Sequence, residues 1–171
     1  MAFWLADRAR IARWLRVPLV RWMLRLAVRI FARRHCAGAV GAVFNDEGRV
    51  LLVEHVFRTD FAWGLPGGWI NAKESPAETV RRETAEELQI IVDVRRVVLT
   101  DRIWPEKTSN HPAHLGVGFY CRLVSGSCVP SNEVLSVEWA DPDAPGHELA
   151  PFQAAVMALG KRAFEEESSG A

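Results

Sequence analysis

Over the first 35 residues Arg21, Arg25, Arg29 and Arg33 recur every four positions, a polar stripe that drifts slowly round a 3.6-residue helix. Leu19, Val20, Trp22, Met23, Leu24, Leu26, Val28, Ile30 and Phe31 fill the remaining surface, so the segment reads as an amphipathic helical arm that Pro18 kinks or divides from residues 3–15. From Cys36 the pattern shortens to strand-like runs: Val40, Ala42 and Phe44, then residues 50–53, with Asn45-Asp46-Glu47-Gly48 between them as a hairpin turn. Trp63-Gly64-Leu65-Pro66-Gly67-Gly68 reads as a rigid glycine-rich loop. Ser75-Pro76-Ala77-Glu78 then opens a helix, with Ser as N-cap, Pro at the first helical position and Glu three residues after the cap. That helix runs to about Leu88. Strands follow over 90–98, 115–124 and 134–139, then a loop over 141–146. A last helix spans 149–164, with Leu149, Phe152, Val156, Leu159 and Ala163 on one face; residues 168–171 should fray.

Composition narrows the class. At 171 residues, 49% hydrophobic and 25% charged, the chain suits one domain with a true core and excludes wholesale disorder. The formal net charge is zero, with 21 basic and 21 acidic residues, but the zero is partitioned. Residues 1–35 carry nine arginines and one aspartate, net +8; the remainder carries 12 basic and 20 acidic residues, net −8. The chain therefore divides into a basic arm, 1–35, and an acidic domain, 36–171. Cys36, Cys121 and Cys128 form no C-x-x-C pair, so small buried hydrophobes in a reducing cytoplasm are expected rather than disulfides or zinc. No signal peptide is expected, and an arginine every few positions argues against a membrane span in the arm.

Glu83, Glu86 and Glu87 stand at i, i+3 and i+4 and share one helical face. Like charges at that spacing destabilise an isolated helix by about 0.2–0.5 kcal/mol per pair, and no lysine is interspersed to relieve them. Three hard oxygen donors beside a glycine loop suit Mg²⁺ or Mn²⁺, with phosphate oxygens and water completing the octahedron.

Residues 68–90 closely resemble the signature of the Nudix family, G-x5-E-x7-R-E-U-x-E-E-x-G-U: Gly68, Glu74, Arg82-Glu83, Glu86-Glu87 and Ile90 occupy their positions, after a Leu65-Pro66-Gly67-Gly68 lead-in. Two positions depart: Thr84 replaces an aliphatic residue, and Gln89 replaces the helix-ending glycine. The resemblance implies an α/β fold, an α/β/α sandwich around a mixed β-sheet. It also implies a Mg²⁺- or Mn²⁺-dependent hydrolase cleaving a diphosphate linkage in a nucleoside diphosphate derivative: a nucleotide sugar, ADP-ribose, a dinucleoside polyphosphate or a (d)NTP. In that scheme Glu83, Glu86, Glu87 and the Gly67 carbonyl bind the cation. Arg82 orients Glu83 by a bidentate ion pair, Gly68 and Glu74 shape the loop, and Glu133 is the candidate general base. Trp63, Trp69 and Trp104 are candidates to stack a base or to pack at the rim. The rival is a binding or regulatory module that keeps the fold and has lost turnover. For the arm, an anionic membrane surface and a homodimer contact are both open; no nucleic-acid partner is predicted.

Overall fold

The computed structural model describes residues 18, 22–23, 36–56, 58, 60–103 and 114–170. The chain divides into two units, Met1–Arg34 and His35–Ala171. In the first, Pro18, Trp22 and Met23 are described and are helical; the remainder of the predicted arm lies outside the described residues, as does Trp104.

In the second unit the order is β1 (Ala37–Phe44), β2 (Val50–His55), β3 (Trp63–Gly64), β4 (Gly67–Trp69), α1 (Pro76–Leu88), β5 (Ile90–Ile103), β6 (His114–Gly126), β7 (Val134–Ala140) and α2 (Pro151–Ser169). The predicted turn closes between β1 and β2: Gly48 has φ 75° and its amide donates to the Asn45 carbonyl at 3.2 Å. The Asn45 side chain accepts from the Arg49 amide at 2.9 Å. These strands belong to one seven-stranded sheet ordered β3-β2-β1-β6-β5, with β4 on β1 and β7 on β2. β1 runs parallel to β6 and antiparallel to β4 and β2, so the sheet is mixed. One edge of β1 is shared by β4 near its start and β2 at its end, and this brings the glycine loop onto the middle of the sheet.

Alternating strand residues feed two cores. Ala39, Val43, Leu51, Val53, Val117 and Phe119 pack with Val80 and Leu88 of α1. Val40, Ala42, Phe44, Leu52 and Tyr120 pack with Val156, Met157 and Ala163 of α2. The period of two thus sends successive β1 side chains to opposite helices, and the α/β/α sandwich follows.

Helix α1 begins at the expected capping box: the Ser75 hydroxyl accepts from the Glu78 amide (3.3 Å) and the Glu78 carboxylate accepts from the Ser75 amide (2.7 Å). Thr84 is fully buried and donates its hydroxyl to the Val80 carbonyl at 2.8 Å, so the polar substitution in the signature is satisfied within its own helix. Cys121 is buried and its thiol pKa is pushed up by that burial; Cys128 is half-buried. Cys36 is exposed, contrary to the expectation of a buried hydrophobe.

Three boundaries differ from expectation. The glycine stretch is not a plain loop but two short strands, because Gly67 is extended enough to pair with Val40. β5 continues to Ile103, five residues further than expected, because three register shifts break its alternation while its pairing with β6 persists. α2 starts at Pro151 and runs through Ser169, where fraying was expected. Its last turns are tied by Lys161–Glu165 at 3.3 Å and by ion pairs from Arg96 to Glu166 and Arg95 to Glu167.

Candidate active site

The glycine loop can lie where it does only because side chains are missing. A Cβ at Gly67, whose φ is 151°, would sit 2.2 Å from the Ala39 carbonyl oxygen. One at Gly68 would sit 2.1 Å from a carboxylate oxygen of Glu83, so Glu83 lies directly over the Gly68 backbone. The loop is also held from α2: the buried Gln153 side chain accepts from the Leu65 amide at 2.7 Å. Sequence reading missed Gln153. Its one signal was a glutamine on the apolar stripe of the last helix, 88 positions from its partner.

Arg82 organises the carboxylates. Its guanidinium grips Glu74 by two bonds, Nε to Oε1 at 2.8 Å and Nη2 to Oε2 at 3.2 Å. Nη1 meets Glu83 at 2.9 Å and Glu86 at 3.1 Å, and Nη2 also donates to the Trp69 carbonyl at 3.3 Å. The bidentate partner is therefore Glu74, not Glu83 as expected: the two-toothed face of the fork meets the loop carboxylate, leaving one nitrogen for the helix. Glu74 also accepts from the Thr79 hydroxyl and the Asn71 amide, at 2.9 and 3.2 Å. These donors, Arg82 foremost, hold its carboxyl down to about 2.

Glu83 and Glu87 are displaced the other way. Burial raises Glu83, with Arg82 opposing. Glu87 is 8% exposed, and its Oε2 is buried with no hydrogen-bond partner. Burial, then the Glu83 and Glu133 charges, push it up to about 7 against the pull of Arg58 and the Gly67 amide. Glu133 thus lies within electrostatic reach of Glu87 from the entry to β7, and its carbonyl accepts from the Val56 amide at 3.1 Å. Among the described residues, no three His, Cys, Asp or Glu side chains are gathered as a ready metal cage. Glu83 and Glu86 are drawn to Arg82 instead, while Glu87 accepts from the Gly67 amide and keeps one buried oxygen without a partner.

The end of α1 accounts for the missing signature glycine. Gln89 itself takes the left-handed conformation, φ 55° and ψ 37°, and its amide donates to the Thr84 and Ala85 carbonyls. The next orphan carbonyls, Glu87 and Leu88, accept from the amides of Ser131 and Val129 at 2.8 and 2.9 Å. The β6–β7 loop thereby braces the turn that carries Glu87. Gln89→Gly should remove the steric cost of that conformation and raise stability by about 1 kcal/mol, read as an increased Tm.

His55, at the β2 bulge, has a buried Nε2 with no partner. Burial, with Arg58 nearby, lowers its pKa to about 4 from 6.5. Between pH 6.5 and 4 the unfolded chain binds this proton and the folded one does not. The stability tied to it, about 3 kcal/mol, is therefore complete above pH 6.5 and lost as pH falls towards 4. Glu87, which binds its proton in the fold, acts in the opposite sense. Denaturant titrations of wild type and His55→Gln at pH 5–7 should isolate the His55 contribution as a shallower slope in the variant.

Comparison with known proteins adds four findings. The family model described as the NUDIX domain matches residues 34–159. A "MutT-like protein" from Streptomyces ambofaciens is 28% identical over 120 residues, covering 70% of this chain and 73% of the relative. "Nucleoside diphosphate-linked moiety X motif 6" from Xenopus laevis is 32% identical over 114 residues, covering 63% of this chain and half of that protein. Among solved structures, an ADP-ribose pyrophosphatase from Streptococcus suis superposes with a TM-score of 0.60 at 28% identity, over 77% of this chain and 92% of that one.

Proposed function

Because the chain belongs to the Nudix hydrolase family, we propose that it cleaves the diphosphate linkage of a nucleoside diphosphate derivative with the help of Mg²⁺, or of Mn²⁺ in its place. The carboxylates of Glu83, Glu86 and Glu87, with the Gly67 carbonyl, would hold the cation. The observation that carries this reading is Glu87: one buried carboxylate oxygen has no hydrogen-bond partner, and the Glu83 and Glu133 charges act on it, which fits a group that a hard cation would complete. When bound, such a cation neutralises phosphoryl oxygens and acidifies an attacking water.

The chain's own groups do the rest. Arg82 keeps Glu74, Glu83 and Glu86 in one hydrogen-bonded unit, so the loop and the helix face present their oxygens together. Gly68 lets Glu83 lie against the loop. Glu133, whose charge acts on Glu87, is the group we assign to take the proton of the attacking water on its carboxylate. The basic arm is proposed to contact an anionic membrane surface or a second copy of the chain, outside this chemistry; Trp22 and Met23 are both exposed.

The family relatives support the substrate class by what they are called: an ADP-ribose pyrophosphatase and a UDP-X diphosphatase among the solved structures, an 8-oxo-dGTP diphosphatase among the sequences. The test is a mass-spectrometric screen of full-length protein over nucleotide sugars, ADP-ribose, dinucleoside polyphosphates and (d)NTPs, with and without Mg²⁺. Cleavage at the diphosphate, dependent on Mg²⁺, is the expected result; absence of turnover on every class, with nucleotide bound equally well without metal, would return the chain to the non-catalytic reading. On the best substrate Glu133→Gln should lower kcat by about a hundredfold and flatten the acid limb of the pH–rate profile.

A further inference from the structure

The chain passes from β3 to β4 through two residues, and a side chain of the other helix holds one of them. β3 pairs with β2 through Gly64 and Val53, and β4 pairs with β1 through Gly67 and Val40. Leu65 and Pro66 cross between these two ladders. Pro66 has no amide hydrogen, so Leu65 supplies the only backbone donor of the crossing. That donor is buried and meets Gln153 Oε1 at 2.7 Å, while the Pro66 carbonyl accepts from the Gly41 amide at 3.0 Å. Gln153 stands in the first turn of α2 and is 8% exposed.

The fit around this contact is close. A Cβ on Gly64 would sit 2.2 Å from Gln153 Oε1 and 2.6 Å from Arg58 Nη1, so the glycine makes the room in which Gln153 reaches the crossing. Leu65 is fully buried in the core that α2 covers, whereas α1 covers the opposite core. Gln153 therefore ties the crossing from the side of the sheet away from Glu83, Glu86 and Glu87. Two residues on, the Gly67 amide bonds the Glu87 carboxylate of α1. Gly67, with φ 151°, and Gly68 have little conformational preference of their own. What holds Gly67 is its pairing with Val40 and the two ties on Leu65 and Pro66.

We infer that Gln153 is a positioning residue: from the far side of the sheet it sets where the Gly67 carbonyl stands relative to the Glu87 carboxylate. This role rests on the cation-assisted hydrolase reading and adds a residue that sets cation affinity while touching neither cation nor substrate. Without the Gln153 acceptor the Leu65 amide is buried and unpaired, and the crossing must shift to satisfy it. Groups that orient metal ligands from behind commonly change affinity by about 10- to 100-fold when lost.

The test uses full-length protein and three variants. Gln153→Met keeps the length of the side chain and removes the acceptor, and Gln153→Glu keeps an acceptor oxygen at the same reach. Gly64→Ala leaves Gln153 in the chain but drives a methyl against its Oε1, and it carries the test should Gln153→Met fail to fold. Mn²⁺ binding without substrate, read by loss of the free-ion EPR signal, should weaken about tenfold in Gln153→Met and in Gly64→Ala. Gln153→Glu should stay within about threefold of the wild type. In turnover the Mg²⁺ midpoint should rise by the same factor in the first two, with kcat at saturating Mg²⁺ within about twofold. A lowered Tm with unchanged Mn²⁺ affinity, or a Gln153→Glu as weak as Gln153→Met, would overturn the positioning role and leave the cation reading intact. A wild type that binds no Mn²⁺ would overturn both. Mn²⁺ affinity that depends on Gln153 in a protein that hydrolyses nothing would sink the hydrolase reading and leave the positioning role standing.

Discussion

Glu87→Gln is expected to lower kcat/KM on the best diphosphate substrate by on the order of a thousandfold while melting no lower than the wild type. The two halves of this expectation have one cause. The Glu87 carboxylate is buried with an unpartnered oxygen, a poor arrangement for a charge in a protein interior unless a cation completes it. The amide has the same shape and no charge, so it removes the proposed cation ligand and the desolvation cost together. The sign with pH follows. Glu87 in the fold has its pKa raised to about 7 from 4.5, so the folded chain binds the proton more tightly, and the stability that comes from this is present below pH 4.5 and lost as pH rises through 7. Without added metal the wild type should lose stability over that range through Glu87, and the variant should not. Thermal melts from pH 5 to pH 8, with and without Mg²⁺, read both effects; Mg²⁺ should raise the Tm of the wild type more than that of the variant.

The second large effect is at Arg82. Arg82→Lys keeps a positive charge but cannot reach Glu74 with two parallel bonds while also meeting Glu83, Glu86 and the Trp69 carbonyl. We expect kcat/KM to fall about 10- to 100-fold, the usual range for a residue that orients metal ligands without being one. A stability readout distinguishes this from simple charge loss. Glu74 is held down to about 2, so its contribution is present above pH 4.5 and lost as pH falls towards 2. In Arg82→Lys the Glu74 value should return towards 4.5, and acid unfolding should become less steep. Unchanged acid sensitivity alongside a large activity loss would mean that Arg82 acts directly on substrate.

Much of this site is legible in the sequence. The capping box at Ser75 and Glu78, the turn at Asn45–Gly48 and the i, i+3, i+4 carboxylates are local, and local rules determine them. Tertiary features were not legible. Gln153 holds the glycine loop from another helix, and nothing near it in sequence signals that role. The amides of Val129 and Ser131 complete the end of α1, so the missing glycine at Gln89 looked like a weakness in the signature when the brace lies some 40 residues away. Chain proximity points the Arg82 fork to its neighbour Glu83, whereas the geometry gives it to Glu74 at i−8 across the loop. The extra length of β5 was hidden because bulges at Val94–Arg96 and Val97–Leu99 destroy the period on which strand prediction depends.

The carboxylates of α1 are proposed to recruit a divalent cation for diphosphate hydrolysis. The most direct measurement is a Mg²⁺ titration of turnover, from chelator excess upwards, on the best nucleoside diphosphate derivative, for wild type and Glu87→Gln. We expect no turnover in chelator, a saturable and reversible gain with Mg²⁺ in the wild type, and a Glu87→Gln curve that stays near zero or saturates only at far higher Mg²⁺. Turnover that persists in chelator, or an identical Mg²⁺ midpoint and maximum in both proteins, would contradict it.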